Sequence, residues 1–244
     1  MKQRIFMIAV YVGAFAIATV IFMQLPEYVK KGGPLVVLLI ALSIISVAYM
    51  FERSFTLRKA RGKGPLPPFL SRLRGLLDKG ELAKASALCS EQKGSCANVL
   101  KAGLDKFGLL IPEKLTKDKH LSETQRAMEE ANMLEVPLLE RNLIALSTIA
   151  SIGTMVGLLG TTIGMIRAFR AMAHAGAPDA IQLAQGISEA LINTAGGLFI
   201  AIAAIVAYNY FVTKVDNFNY MMDEASYEVV QLLSSREGEK NASA

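Results

Sequence analysis

The sequence has few charged residues for its length. Only 19% of its 244 residues are Asp, Glu, Lys or Arg, whereas 52% are hydrophobic. Soluble domains typically contain about 25% charged residues. The shortage therefore argues against a water-soluble protein and indicates that lipid solvates much of the chain.

Residues and motifs for enzymatic chemistry are scarce as well. The sequence contains no Gly-x4-Gly-Lys-Ser/Thr phosphate loop and no His-Glu-x-x-His zinc motif. The two histidines, His120 and His174, belong to no motif, and we expect both to be solvated surface residues. We therefore expect the protein not to be an enzyme and to need no cofactor.

Long hydrophobic runs, in contrast, are abundant. A window of about 19 residues finds four apolar stretches, each long enough to cross a hydrocarbon core about 30 Å thick. These stretches are Ile5–Met23, Pro34–Phe51, Leu143–Phe169 and Ile187–Val212. They predict an all-α integral membrane protein with four transmembrane helices. A signal peptide is the alternative for the first stretch, within residues 1–24, but no small-residue cleavage site follows it, so we expect a retained helix.

The positions of Lys and Arg predict the orientation, because cationic loops resist translocation. Of the 26 Lys and Arg residues, 17 lie in Glu52–Asn142, whereas Gln24–Gly33 contains two. We therefore expect residues 52–142 to form a cytoplasmic helical domain, residues 213–244 to form a cytoplasmic helical extension and tail, and residues 170–186 to form a periplasmic loop. The basic residues would attract anionic lipid headgroups rather than nucleic acid.

Cysteine is also rare, since Cys89 and Cys96 are the only two. Both lie in the predicted cytoplasmic domain, where thiols stay reduced, so we expect no disulfide. Without clustered histidines they also make a poor zinc site. Their expected role is helix packing.

The predicted cytoplasmic domain reads as several helices. Breaks at Pro and Gly predict helices over Leu66–Lys79, Glu81–Gln92 and Ser95–Lys106. Ser122 followed by Gln125 resembles a capping box and predicts another helix start. Pro137 would cost about 3 kcal/mol in a straight helix, so we expect a kink just before the bilayer.

The pattern predicts that the last apolar stretch continues as an amphipathic helix. Hydrophobic residues recur at alternating spacings of four and three, which is a heptad seam: Phe211, Val215, Phe218, Met222, Ala225, Val229 and Leu232. The seam needs a partner, which is either another helix of the same chain or a neighbouring copy.

Polar side chains interrupt the third and fourth stretches. In hydrocarbon a polar group tends to face protein or a water-filled passage. One helical face of the third stretch carries four hydroxyls, and one face of the fourth carries a carboxylate, an amide and a hydroxyl. These residues are Ser147, Ser151, Thr154 and Thr161, followed by Glu189, Asn193 and Thr194.

Glycines on the same stretches predict close helix packing. Gly153 with Gly157 and Gly160 with Gly164 form two Gly-x3-Gly pairs, and Gly196 and Gly197 add a flat surface. The third and fourth helices are therefore expected to line a central passage, with the first two outside. Glu189 is the only acidic residue in any stretch, so an ion-binding carboxylate deep in the membrane would have to come from a partner.

Three segments carry a family resemblance. They begin at Glu135 (EVPLLERNL), Leu158 (LLGTTIGMIRAF) and Gly186 (GISEALINTAGGL), and Ala207-Tyr208-Asn209 follows. In this order they resemble the ExbB/TolQ/MotA proton-channel family, with ExbB and TolQ as the nearest members. The resemblance covers roughly residues 66–233. It implies a homopentamer around single-span partners of the ExbD/TolR type, whose membrane aspartate binds the proton.

The resemblance also implies roles for three residues. Thr161 and Thr194 would face the partner's aspartate, and Glu189 would guard the periplasmic entrance. The chain departs from the family at Thr154 and Ala203, where relatives usually have proline, and at Asn193, where a small residue is common. The additional oxygen ligands leave proton and sodium both open as the driving ion. An extra N-terminal span is a further departure from three-span relatives.

The resemblance implies a subunit of an inner-membrane proton-driven motor. We favour an ExbB-like role that energises TonB-dependent transport. A TolQ-like role, working with a TolA-type protein in the Tol-Pal envelope system, is the alternative. A MotA-like flagellar stator and a passive membrane scaffold are further alternatives, as is a channel that conducts without a partner.

Overall fold

The computed structural model describes residues 2–111, 116–173 and 179–242, with the side chains of 2–10 and 237–242 left aside. His174 lies outside the described residues, so its predicted exposure stays a prediction. All regular structure in the described ranges is helical. The helices are α1 (Lys2–Gln24), α2 (Glu27–Lys30), α3 (Leu35–Ala60), α4 (Leu66–Lys79), α5 (Leu82–Gln92), α6 (Ser95–Leu110), α7 (Lys117–Glu140), α8 (Leu143–Ala173) and α9 (Ala180–Ala242).

Three helical segments among the described residues are long and apolar enough to cross a membrane. They are Leu35–Ala60, Lys117–Ala173 and Ala180–Arg236, and Tyr11–Gln24 is a shorter apolar helix. The all-helical membrane architecture follows from these lengths and compositions. The count of four spans stays a prediction, because the first stretch qualifies only as the shorter helix.

The chain divides into two compact units. The apolar unit comprises Met1–Glu52 and Asn142–Tyr210, and the polar unit comprises Arg53–Arg141 and Phe211–Ala244. The core of the apolar unit is built from α3, α8 and α9. Its buried members are Leu39, Ile149, Ala150, Val156, Ile200 and Ala204.

Helix α1 packs at the edge of the apolar unit. Ala14 and Ala18 are its buried residues among those described, while larger side chains such as Phe15 are exposed. The hydroxyls of Tyr11 and Tyr49 are 2.7 Å apart and share a hydrogen bond between α1 and α3. Small buried residues thus let α1 approach its neighbours, and its outer face remains apolar, as a lipid-facing helix requires.

The predicted helices of the polar unit are largely confirmed. Helix α4 spans Leu66–Lys79 as predicted, and α5 and α6 begin within one residue of the predicted starts. Gly80 ends α4 in the left-handed conformation, with φ of 80°, which is the usual role of glycine after a helix. Helix α6 continues four residues beyond its predicted end, to Leu110.

The predicted start of α7 at Ser122 is wrong. The helix begins at Lys117, and the hydroxyl of Ser122 donates to the carbonyl of Lys119 instead of capping the helix. The amide of Gln125 bonds to Glu129 further along the helix. Ser122 and Gln125 therefore have the spacing of a capping box but lie in the helix interior, because α7 begins further towards the N-terminus.

Pro137 does not interrupt α7. The helix continues to Glu140, and the break comes at Arg141 and Asn142, where Asn142 has a φ of 63°. Asn tolerates this left-handed region better than most residues. Further along, α8 and α9 run without interruption through Thr154 and Ala203, where the family usually has proline.

His120 is buried, so its expected place on a solvated surface is wrong. Only 8% of the residue is exposed. Its ring packs edge-on against Phe107 at a centroid distance of 6.2 Å. The hydroxyl of Thr124, itself fully buried, donates to the His120 carbonyl at 2.8 Å. The earlier start of α7 explains the difference, because it places His120 on the inner face of a helix instead of in a loop.

The heptad seam of α9 is buried within a single chain. Phe211, Val215, Phe218, Met222, Ala225 and Val229 are all less than a tenth exposed. The last seam residue is Leu233 and not Leu232, so the final spacing is four residues. Polar contacts join α9 to α4 and α7: Asp223 accepts from Asn132, Glu228 pairs with Arg74, and Arg236 donates to the Leu77 carbonyl. The seam is therefore covered by helices of its own chain.

Candidate functional site

Helices α8 and α9 meet through glycines. A Cβ atom added to Gly153 would lie 3.2 Å from the Gly197 carbonyl oxygen, and one on Gly164 would lie 2.6 Å from that of Gly186. A Cβ atom on Gly160 would overlap the side chain of Asn193. The backbones are therefore so close that a side chain at these positions would push the helices apart.

The remaining predicted packing glycines have different neighbours. A Cβ atom on Gly157 would lie 3.2 Å from the Cα atom of Gly197, so this pair belongs to the same α8–α9 contact. A Cβ atom on Gly196 would lie 3.2 Å from the Leu39 side chain of α3. Glycines of α9 thus contact both α8 and α3.

The hydroxyl stripe of α8 lies outside its glycine face. Ser151 and Thr154 are exposed in the single chain, and Ser147 and Thr161 are half-buried. Three of these hydroxyls donate to carbonyls of their own helix, with Ser151 bonding to Ser147, Thr154 to Ala150, and Thr161 to Leu158 at 2.6 Å. Their oxygen lone pairs therefore remain available to a group that covers this face.

Thr194 lies between α9 and α8. Its hydroxyl is half-buried and donates to the Gly157 carbonyl at 3.1 Å. The approach of the two backbones at Gly157 makes this bond possible. Thr194 thus adds a hydrogen bond to the glycine contact between α8 and α9. Its expected role towards a partner's aspartate stays a prediction.

Glu189 forms an ion pair inside the apolar unit. The residue is 6% exposed, and both carboxylate oxygens lie 2.6 Å from one guanidinium nitrogen of Arg167. A Cβ atom on Gly33, where φ is +73°, would lie 2.7 Å from the same carboxylate. The turn at Gly33 therefore closes over the pair, and glycine is required there for both conformation and space.

Asn193 holds the backbone around this ion pair. Its side chain is fully buried, and its amide donates to the Gly32 carbonyl at 2.8 Å and to the Glu189 carbonyl at 3.0 Å. Its Oδ1 has no hydrogen-bond partner among the described residues. Asn193 thus lies among helices of its own chain, in contrast to the exposed Ser151 and Thr154.

Arg167 was not singled out by the sequence analysis. A cation inside an apolar stretch is costly and therefore needs a partner, and this signal was available in the sequence. The stretch Leu143–Phe169 contains it two residues before the predicted external end, and Glu189 lies at the same end of the next stretch.

A charged cavity of about 990 Å³ opens beside the ion pair. Its lining includes four cationic side chains and three carboxylates, of which Asp179 accepts from the first amides of α9 and Glu27 pairs with Lys30. No cluster of three or more metal-binding side chains occurs in the described ranges. The charged lining residues are Glu27, Lys30, Lys31, Arg167, Arg170, Asp179 and Glu189.

Helix α8 and the apolar part of α9 contain few acidic side chains that could bind an ion. Glu189 is the only acidic residue in Leu143–Ala173 and in residues 180–212. Its charge is balanced by Arg167. The described parts of these two helices therefore offer hydroxyls and one carboxylate that is already paired with an arginine.

Comparison with known proteins finds a matching family and several similar proteins. Residues 91–224 match the MotA/TolQ/ExbB proton channel family. The Tol-Pal system protein TolQ of Pseudomonas aeruginosa is 33% identical over 174 residues, covering 71% of this chain and 74% of that protein. TolQ of Haemophilus influenzae is 33% identical over 74% of this chain and 79% of its own length. The biopolymer transport protein ExbB of Salmonella typhimurium is 38% identical over 99 residues, covering 41% of this chain and 40% of that protein.

Proposed function

Because the chain belongs to the MotA/TolQ/ExbB proton channel family, we propose that it is an inner-membrane subunit of an ion-driven motor. The observation that carries this proposal is the contrast between the two faces of α8. One face packs closely on α9 through glycines, and the other presents Ser151 and Thr154 to its surroundings. Exposed hydroxyls at membrane depth are expected to face a polar passage. In this role the chain catalyses no chemical reaction itself.

The proposed assembly is a homopentamer around a single-span partner of the ExbD/TolR type. The partner would provide the membrane aspartate that this chain lacks, and Thr161 and Thr194 would lie near it. Moving one charge across the membrane is worth about 2.3 kcal/mol per 100 mV. An aspartate that gains and loses an ion inside the hydroxyl-lined wall would convert that energy into motion of the partner. Whether the ion is a proton or sodium is a question for transport measurements.

Two outer-membrane roles fit such a motor. From the sequence we favour an ExbB-like role that energises TonB-dependent transport, with a TolQ-like role and a TolA-type protein as the alternative. Relatives of both names match more than two thirds of this chain, so coverage does not decide between the two roles. Expression in a strain that lacks its own ExbB and TolQ separates the roles, because one restores TonB-dependent uptake and the other restores detergent resistance.

The first experiment is native mass spectrometry of the purified chain, with and without a coexpressed ExbD/TolR-type partner. We expect a pentamer that captures fewer partner chains than its own copies. A monomer or dimer indifferent to the partner would refute the motor and support the passive scaffold.

Two matched substitutions then test the hydroxyl face. Thr161→Val removes a hydroxyl from the predicted passage, whereas Thr148→Val removes an exposed hydroxyl of α8 outside the predicted stripe, which bonds to the Ile144 carbonyl. We expect T161V to reduce energised transport at least tenfold with the assembly intact, and T148V to leave transport unchanged. Equal transport in both variants would favour the scaffold.

A further inference from the structure

The charged cavity of about 990 Å³ beside Glu189 has the volume of a small-molecule site. Its described walls belong to the apolar unit alone, and they are α2 with Lys31, the C-terminal part of α8 and the first turns of α9. We propose that this cavity binds a phosphate group, held by Lys31 and by the free edge of the Arg167 guanidinium. The proposal concerns the single chain and does not depend on the motor function.

Arg167 is held in place from within the protein. Its Nη1 atom lies 2.6 Å from both carboxylate oxygens of Glu189, a residue that is only 6% exposed. Gly33 packs against the same carboxylate, since a Cβ atom there would lie 2.7 Å from one of its oxygens. A buried and confined carboxylate thus fixes the orientation of the guanidinium. A ligand that binds to a side chain already fixed in this way loses less of its affinity to ordering the protein.

The same guanidinium keeps hydrogen-bond donors for a ligand. Nε and Nη2 of Arg167 make no hydrogen bond to the residues that the structure describes, and the side chain is 54% exposed. Arg167 also lines the cavity. A planar guanidinium edge with two parallel N–H groups matches two oxygens of one anionic group. The ion pair with Glu189 uses a single nitrogen and leaves this edge available.

The charges that line the cavity favour an anion. Glu27 accepts from Lys30 at 3.2 Å, and Oδ1 of Asp179 accepts from the first amides of α9 at 3.0 and 3.1 Å. Lys31 has neither an ion pair nor a side-chain hydrogen bond within the described ranges. The lining contains four cationic side chains and three carboxylates, so one positive charge is left without a negative partner. A phosphodiester carries a single negative charge and would balance it.

Two glutamines add neutral donors to the α9 wall. Gln182 and Gln185 both line the cavity, and neither side-chain amide has a partner in the part of the chain that the structure describes. Gly186 continues this wall, and a Cβ atom there would lie 2.7 Å from the backbone nitrogen of Ala168, so α8 and α9 are in close contact at this point. The tetrahedral oxygens of a phosphate can accept from a guanidinium, an ammonium and an amide on different walls, whereas the two oxygens of a carboxylate lie in one plane.

A phosphate group can reach this cavity from two sources. The predicted third apolar stretch ends at Phe169, two residues after Arg167, and cationic side chains near the ends of spanning helices extend to the level of the lipid headgroups. A phospholipid headgroup is therefore one source. A soluble phosphate is the other, because the side chains of Lys31 and Arg167 are exposed in the single chain. Both sources place the same chemical group against the same two cations.

The test is a titration of the purified full-length protein with short-chain dihexanoyl phosphatidylglycerol and, separately, with inorganic phosphate. The rise in melting temperature with ligand concentration gives the dissociation constant. Lys31→Gln removes the unpaired ammonium, and Arg167→Lys keeps a positive charge beside Glu189 but removes the guanidinium edge. We expect at least one probe to bind the unaltered protein, and each substitution to raise its dissociation constant at least about fivefold.

A matched pair of glutamine substitutions controls for the added charge and for misfolding. Gln182→Glu puts a repelling carboxylate into the cavity, whereas Gln24→Glu puts one on an exposed residue at the end of α1 that does not line it. We expect Q182E to weaken binding at least about fivefold and Q24E to change it less than about twofold.

The two probes identify the source of the phosphate. Binding of phosphatidylglycerol alone assigns the site to a lipid headgroup, and binding of inorganic phosphate assigns it to a soluble phosphate. The absence of binding by either probe would overturn the proposal. Equal affinity of K31Q, R167K and Q182E with the unaltered protein would overturn it as well, because any binding would then occur elsewhere on the molecule.

Discussion

Glu189 shows how an apolar helix can hold a carboxylate. Removing an ion from water costs several kcal/mol even after the protein relaxes, so a buried acid needs a close counterion. Arg167 provides it at 2.6 Å, and Asn193 fixes the neighbouring backbone. The two partners differ in exposure, since the Arg167 side chain is 54% exposed and that of Glu189 only 8%.

This difference predicts unequal effects of breaking the ion pair. Arg167→Gln leaves a buried, unpaired carboxylate and should lower the free energy of unfolding by about 3 kcal/mol. Glu189→Gln leaves an arginine that can turn towards water, so its cost should be clearly smaller. Thermal unfolding in detergent measures both, and the double variant R167Q/E189Q should be more stable than R167Q alone. Equal losses in the two single variants would contradict this account.

The two cysteines predict a pH dependence of labelling. Burial, with the nearby Asp105 carboxylate for Cys89 and the neighbouring Cys89 for Cys96, raises the pKa of each thiol from 9.0 to about 12. Since the thiolate is the reactive form, iodoacetamide should modify neither in the folded protein at pH 8, and both after unfolding. The raised pKa also means that their contribution to stability is complete below about pH 9 and declines as the pH rises towards 12. Rapid labelling of the folded protein at pH 8, followed by mass spectrometry, would contradict the prediction.

Single residues were the least predictable part of the molecule. Arg53 belongs to the basic run that predicts the orientation, yet it is 1% exposed and donates to the Leu139 carbonyl. The sequence shows its charge but not the carbonyl that meets it 86 residues later. Arg167 could have been found from the cost of a cation in an apolar stretch. The close approach of Gly94 to the backbone at the end of α3 could not, because the two segments are far apart in the sequence.

At the scale of helices, local breaks predicted more than capping patterns did. Pro65 precedes α4 and Gly94 precedes α6, and both starts agree with the prediction. The start of α7 was wrong because Ser122 and Gln125 match a motif that the helix does not use. The predicted heptad seam was right except for its last residue, which is Leu233 instead of Leu232. Alternating spacings of four and three residues leave the register open near a helix end.

Helix α6 offers a matched test of its packing. A Cβ atom on Gly103 would overlap the buried side chain of Met128, whereas one on Gly108 would meet nothing within 4 Å. Gly103→Ala should therefore lower the free energy of unfolding by about 1–3 kcal/mol through overpacking. Gly108→Ala should raise it by about 0.5–1 kcal/mol through helix propensity. Circular dichroism melts of the full chain compare the two, and a G103A variant as stable as G108A would show that Met128 moves aside freely.

At the scale of the whole molecule, composition predicted the division better than it predicted the contacts. The apolar unit contains the third and fourth predicted stretches almost entirely, and the polar unit contains the basic segment after Glu52. Hydropathy and charge are summed over many residues, so single errors cancel. The coverage of the α9 seam by α4 and α7 was left open by the sequence, because a seam indicates that a partner exists and not which helix it is.

The orientation of the two units with respect to the membrane is a prediction that labelling can decide. Tyr28 lies in the segment before α3, predicted to be external, and is 67% exposed, whereas Met133 lies in the polar unit and is 72% exposed. Because Cys89 and Cys96 are buried, they should add little background to a maleimide experiment. In spheroplasts a membrane-impermeant maleimide should label Tyr28→Cys but not Met133→Cys, and lysis should make both accessible. Labelling of M133C before lysis, with Y28C protected, would reverse the topology and place the basic loop outside, against the cost of translocating its 17 cationic residues.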